Sequence, residues 1–133
     1  DDFVAKNRDK SVAFTSMGTL LYLSTMSYVD AVIGNSSSGI IEAPSFGIAT
    51  VNIGDRQKGR IRAESVIDCS YDKDSMRHAI RIAISKEFKT KLKSVINPYG
   101  DGHAAERIVK ILKDFKIVDF KKEFYKLWGR QWE

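Results

Sequence analysis

Ala31-Val32-Ile33-Gly34-Asn35-Ser36-Ser37-Ser38-Gly39-Ile40-Ile41-Glu42-Ala43 decides how this chain is read. Ala31 to Ile33 is a short apolar run and reads as a strand. A turn of small polar residues follows, and then a helix-compatible segment after Ser38. Strand, polar turn and helix together make an anion pocket, because the unpaired N–H groups of a first helical turn face the open loop. Ser36, Ser37 and Ser38 add hydroxyl donors, and Gly39 lets a ligand approach the backbone. Glu42 brings a carboxylate that accepts hydrogen bonds from sugar hydroxyls. Phosphate donors beside a sugar acceptor point to a nucleotide or a nucleotide-sugar.

Each of these residues also has a plainer use. Serine caps helices and fills turns, but three in a row before a glycine exceed what one cap needs. Glu42 complements a helix dipole, although it is out of register for a capping box with Ser38. No lysine follows Gly39, so the signal is weaker than a Walker A loop.

Outward from this stretch, short apolar runs alternate with helical periodicity. Asp1 to Asn7 reads as the end of a helix and Val12 to Phe14 as a strand. Gly18 to Val29 reads as a helix with Tyr22, Met26 and Val29 on one face. Pro44 should kink or end the helix after Ser38. Ala49 to Ile53 and Ser65 to Ile67 complete four expected strands. Met76, Ala79, Ile80, Ala83 and Ile84 mark an amphipathic helix expected to run on to Phe88. Asp101 is the expected cap of a last helix carrying Ala104, Ile108, Ile111, Leu112 and Phe115 on one face. The strands lack polar alternation, as when both faces of a sheet are covered. The fold class is therefore α/β, with an open parallel sheet and right-handed crossovers.

Ligands of such sheets bind outside the carboxyl ends of the strands. The loops leaving those ends are 15–18, 34–39, 54–62 and 68–74. The serine turn and Gly54-Asp55-Arg56-Gln57-Lys58-Gly59-Arg60-Ile61-Arg62 are thus expected on one edge. An arginine there can hold a diphosphate bidentately and stabilise charge on a departing phosphate. Lys58 and Arg62 read as solvated cations of the same loop.

The 133 residues suffice for one domain with a core, and 43% hydrophobic with 29% charged residues is ordinary for a globular protein. No apolar run approaches the ~20 residues that cross a bilayer, so no membrane partner is expected. The net charge of +5 is spread along the chain and reads as a basic surface, with nucleic acid not expected as a partner. A single cysteine, Cys69, fits a reducing, cytoplasmic setting and reads as a packed thiol. With His78 and His103 distant from it, no metal site is expected, and no cofactor is implied. His78 reads as a surface or boundary residue and His103 as a helix-start residue. No serine–histidine–carboxylate set or close carboxylate pair is legible. The chain begins at Asp1 without an initiator methionine, so a processed or truncated end is expected.

Three motifs then add up. Gly34 to Gly47 (Gly-Asn-Ser-Ser-Ser-Gly-Ile-Ile-Glu-Ala-Pro-Ser-Phe-Gly), Asn52 to Arg60, and Asn97-Pro98-Tyr99-Gly100-Asp101-Gly102 resemble the UDP-N-acetylglucosamine 2-epimerase family. The first two look like its hydrolysing branch, which opens sialic- and nonulosonic-acid pathways. The resemblance covers about Val12 to Phe115. It implies a GT-B fold, with two Rossmann-like domains and the active site between them, and it makes this chain most of the C-terminal one. Residues 1–116 are then a UDP-binding Rossmann-like domain, truncated at its N-terminus. Residues 117–133 are a helical or irregular tail. The resemblance implies that Ser36 and Ser37 hold the phosphates, Glu42 the ribose, and Arg56 the UDP moiety. Ser38 and Gly39 belong to the same turn, with Arg60 and Ser16 nearby. Family chemistry eliminates UDP across C1–C2 of the sugar and adds water, giving N-acetylmannosamine and UDP. The groups credited with proton transfer lie outside this chain, so it is expected to bind UDP or a UDP-sugar weakly and to catalyse nothing alone. Its expected partners are the N-terminal domain and, through apolar residues of the tail such as Leu127 and Trp128, a second copy. Two other readings stay open at this point. One is a stand-alone nucleotide-binding or interaction module, and the other is the UDP-sugar-binding domain of a GT-B glycosyltransferase. Ala49 departs from the family, which commonly carries proline there.

Overall fold

Residues 49–53 alternate their side chains between two covered faces, and that alternation sets the layers of the molecule. Ala49, Val51 and Ile53 share one side with Ala79, Ala83, Leu92, Ile67 and Phe88. Thr50 lies on the opposite side, where its hydroxyl meets Gly39. Both faces are apolar or hydrogen-bonded, which is why this stretch is buried almost throughout. The computed structural model describes residues 2–116.

Three strands form one parallel sheet: β1 (Ala31–Gly34), β2 (Ala49–Ile53) and β3 (Val66–Cys69), in spatial order β1-β2-β3. Helix α1 is Asp2–Lys6 and α2 is Gly18–Met26. After β1 come α3 (Ser38–Ile41) and a 3₁₀ turn (Ala43–Phe46). After β3 come α4 (Lys73–Ala83), α5 (Lys86–Leu92) and α6 (Ala104–Asp114). Helix α4 packs on β2 and β3, and α3 on β1 and β2. A second apolar cluster, Met26, Ala43 and Ile48 with Tyr22, Leu23, Val32 and Phe46, joins α2 to the 3₁₀ segment. The chain divides into two units, residues up to Asp101 and those from Gly102 onward. Among the described residues no helix is long and apolar enough to cross a membrane.

The α/β class and the parallel sheet are as expected, and four local expectations are corrected. Val12 to Phe14 is not a strand; Val12 is 71% and Phe14 54% exposed. A three-residue run gains nothing from an extended shape unless a neighbour supplies a ladder, and β1 pairs with β2 alone. Among the described residues the sheet therefore has three strands. The amphipathic helix does not run to Phe88, because Ser85 adopts an extended conformation and accepts the Phe88 N–H at 3.2 Å, starting α5. The last helix starts at Ala104 with His103, not Asp101, at its N-cap. Gly102, at φ 88°, carries the chain through the turn that delays the start. The helix over Gly18 to Val29 ends at Met26, and Val29 lies beyond it. Pro44 acts as expected: α3 stops at Ile41 and the backbone tightens into the 3₁₀ turn, closed by Gly47 at φ 63°. The expected tail, 117–133, lies outside the described residues.

Candidate functional site

Gly34, Asn52 and Asp68 stand opposite one another across the carboxyl ends of the three strands. Each strand releases its loop from this row, so parallel topology brings the serine turn and the basic loop to one edge. Gln57 Nε2 donates to the Asn35 carbonyl at 2.7 Å. Arg56 Nη1 lies 3.4 Å from the same carbonyl and 3.5 Å from Asn35 Oδ1, at the limit of hydrogen bonding. The guanidinium is exposed beside the serine turn.

Within that turn the three serines differ. Ser36 Oγ accepts the Ser38 N–H at 3.4 Å. Ser37 is the N-cap of α3 yet is already helical, at φ −62° and ψ −24°, and its hydroxyl makes no capping bond. Ser38 Oγ meets the Tyr22 hydroxyl at 2.7 Å. Helix α3 has four residues, so its dipole is small and anion attraction rests on the hydroxyls and Arg56. Gly39 is buried against β2. A Cβ there would lie 2.6 Å from Thr50 Cγ2, and Thr50 Oγ1 donates to the Gly39 carbonyl at 2.6 Å. The close approach that Gly39 permits is therefore made by the sheet.

A cleft of about 550 Å³ opens beside this turn, lined by Phe14, Ser16, Met17, Tyr22, Ser38 and Glu42 among others. Its size suits a small-molecule ligand. Its lining combines an aromatic ring, a thioether and hydroxyls, which can seat a planar ring and a sugar. Glu42 Oε2 is buried and has no hydrogen-bond partner among the described residues. A buried acceptor without a donor carries its desolvation cost uncompensated. Glu42 lines the cleft, so a hydroxyl entering it can donate to the carboxylate. Ser16, whose Oγ accepts the Gly18 N–H at 3.3 Å, shares this cleft. No hydrogen bond or ion pair among the described residues brings the exposed Arg60 side chain to these groups.

Arg62 is not the solvated cation the sequence suggested. Its Nη1 pairs with Asp68 Oδ2 at 2.9 Å, its Nη2 donates to the Gln57 carbonyl at 2.9 Å, and its side chain is 28% exposed. Asp68 Oδ1 accepts from Asn52 Nδ2 at 2.7 Å. The third motif braces the same edge. Asn97 Nδ2 donates to the Ile41 carbonyl at 2.8 Å and to Ser45 Oγ at 2.7 Å, and the Tyr99 hydroxyl donates to the Ile61 carbonyl at 2.9 Å. Tyr22, Gln57, Asp68 and Asn52 were not read as site residues from the sequence. The one legible hint was Gln57 beside Arg56; the Asn52–Asp68 pairing needs the strand register. Burial pushes the Cys69 thiol up, helped by Asp68 and Asp72, as befits a thiol packed against the core cluster.

The hydroxyl turn, a cation and a carboxylate thus stand at the carboxyl edge of a parallel α/β sheet, the edge at which open α/β sheets bind ligands. Residues 2–113 match the family model described as UDP-N-acetylglucosamine 2-epimerase. The chain belongs to that family. It is 46% identical over 107 residues to the polysialic acid biosynthesis protein P7 of Escherichia coli, covering 78% of this chain and 27% of that one. It is 44% identical over 88 residues to the GDP/UDP-N,N'-diacetylbacillosamine 2-epimerase (hydrolyzing) of Campylobacter jejuni, covering 66% and 22%. It is 41% identical over 96 residues to the UDP-N,N'-diacetylbacillosamine 2-epimerase (hydrolyzing) of Legionella pneumophila, covering 72% and 24%. The chain thus spans 22–27% of the length of these relatives.

Proposed function

We propose that this chain is the UDP-binding, C-terminal part of a hydrolysing UDP-sugar 2-epimerase acting on UDP-N-acetylglucosamine or a diacetamido relative. The observation that carries it is Glu42: a carboxylate with a buried, unpartnered oxygen lines a cleft next to the serine turn and Arg56. A ribose hydroxyl in the cleft gives that carboxylate its donor. Ser36, Ser37 and Arg56 then face the diphosphate, with Ser38 and Gly39 completing the turn. Arg60 adds positive charge at the loop's far end, and Ser16 lies on the base side.

In the reaction so assigned, the sugar loses its C2 proton and the C1–O bond to UDP breaks, after which water adds across C1–C2; from UDP-N-acetylglucosamine the product is N-acetylmannosamine. This chain's share is to hold UDP and stabilise the charge that builds on its diphosphate as it departs. The groups that move protons belong to the rest of a GT-B enzyme, whose N-terminal domain closes the other side of the site. Residues up to Asp101 carry the nucleotide site, and the setting is the cytoplasm. Alone the chain binds UDP and turns nothing over.

Calorimetric titration of the 133-residue chain with UDP and with uridine tests the proposal. UDP should bind, and more tightly than uridine. A folded protein that takes up neither at millimolar concentration overturns it. Release of UDP from UDP-N-acetylglucosamine should require the full-length enzyme.

A further inference from the structure

Gln57 is 3% exposed, although it sits between the exposed Arg56 and Lys58. A buried amide amid exposed cations needs a reason. Its Nε2 holds the carbonyl of Asn35, the residue that leads into Ser36, at 2.7 Å. The main-chain carbonyl of Gln57, not its side-chain Oε1, accepts from Arg62 Nη2; Arg62 Nη1 is held by Asp68, and Asp68 by Asn52. Asn52 is 1% exposed and lies in the central strand. A continuous line of polar contacts thus runs from the rigid middle of the sheet to the backbone of the serine turn.

Arg56 does not do this job. Its contacts to Asn35, at 3.4 and 3.5 Å, are too long to fix either loop. We infer that Gln57, backed by Arg62, Asp68 and Asn52, is the latch that sets the serine turn against the basic loop, leaving Arg56 free to meet the diphosphate. Gln57 is a positioning residue: it orders the backbone that presents Ser36 and Ser37, and touches no ligand itself. Two loops prearranged in this way spare the ligand the entropy of ordering them. The inference rests on the UDP reading above for its ligand, and on geometry alone for the latch.

The test uses the full chain, unaltered and as Gln57→Met, which keeps length and loses the donor. Arg62→Lys is a second variant, since an ammonium can hold Asp68 or the Gln57 carbonyl but lacks the fork that holds both. UDP and uridine affinities are measured by calorimetry, and amide hydrogen exchange is followed at residues 35–38. Gln57→Met should weaken UDP roughly tenfold, the scale of a half-buried hydrogen bond lost with its partner stranded. Uridine should change less than twofold, exchange at 35–38 should speed up, and Arg62→Lys should fall between. Equal losses for UDP and uridine would mean a general structural role and overturn the inference, as would unchanged exchange at 35–38. If the unaltered chain binds UDP no better than uridine, the diphosphate reading fails and the ligand part of the inference with it. Faster exchange in Gln57→Met would still uphold the latch between the two loops.

Discussion

Replacing Glu42 with glutamine should move binding and folding in opposite directions. The carboxylate lines the cleft, and its Oε2 is buried without a partner among the described residues. A ribose hydroxyl donating to a carboxylate gives a net ~1.5–3 kcal/mol, against ~0.5–1.5 for a neutral acceptor. The difference, about 1–1.5 kcal/mol, corresponds to roughly five- to tenfold in the Kd for UDP. Folding should respond with the other sign. An ionised oxygen held from water without a donor is more costly than a neutral amide oxygen in the same place. Urea denaturation of Glu42→Gln should therefore show an unchanged or raised midpoint. Titration with UDP and 2′-deoxy-UDP closes a double-mutant cycle: the unaltered chain should discriminate between them, and the variant should discriminate less, by about 1 kcal/mol. Equal discrimination in both proteins would remove Glu42 from the ribose. A stability loss above ~1 kcal/mol would show that the carboxylate makes structural bonds, and the orphan-oxygen argument would fail.

Three further outcomes follow from the same contacts. Gly39→Ala forces a Cβ to 2.6 Å from Thr50 Cγ2, so denaturation should show a loss of ~1–3 kcal/mol, the range for overpacking. Arg56→Ala should weaken UDP by ~1–3 kcal/mol, the scale of charged hydrogen bonds, whereas Arg60→Ala should stay within ~0.5 kcal/mol in the same titration. The Ser70 hydroxyl, and then the Ser75 N–H at 2.8 Å, hold the Asp72 carboxyl below its ordinary range. A folded pKa below the unfolded one contributes stability above the unfolded value, near pH 3.9. That contribution is lost as pH falls through the lower folded value. The stability gap between the unaltered chain and Asp72→Ala should thus be constant at neutral pH and shrink in that acid window, as followed by thermal melts across pH.

The sequence reads well where a local rule has nothing to compete with it. The run 49–53 is β-branched and short, and it is the central strand. Pro44 breaks α3 because its ring excludes a continuing helix, whatever surrounds it. The reading fails where a neighbour decides. Val12 to Phe14 has strand propensity but no ladder partner, so it stays irregular. Phe88 continues the apolar period of α4, yet Ser85 uses its hydroxyl to begin a new helix. Arg62 looks like one more surface cation until Asp68, on β3, claims it. Gly39 has a packing role that the sequence did not show, since Thr50 occupies the space its Cβ would need.

The order of residues alone determined the α/β class, the polar turn after β1 and the family, because periodicity and contiguous motifs are local properties of a chain. The tertiary structure decided what surrounds that turn. Register across the strand ends set Asp68 opposite Asn52, and through Arg62 tied the basic loop down. Packing of α2 brought Tyr22 to Ser38, and burial left Glu42 Oε2 without a donor. Those facts depend on groups distant in sequence meeting in a medium poor in water, where an unpaired polar atom weighs far more than it does along an extended chain.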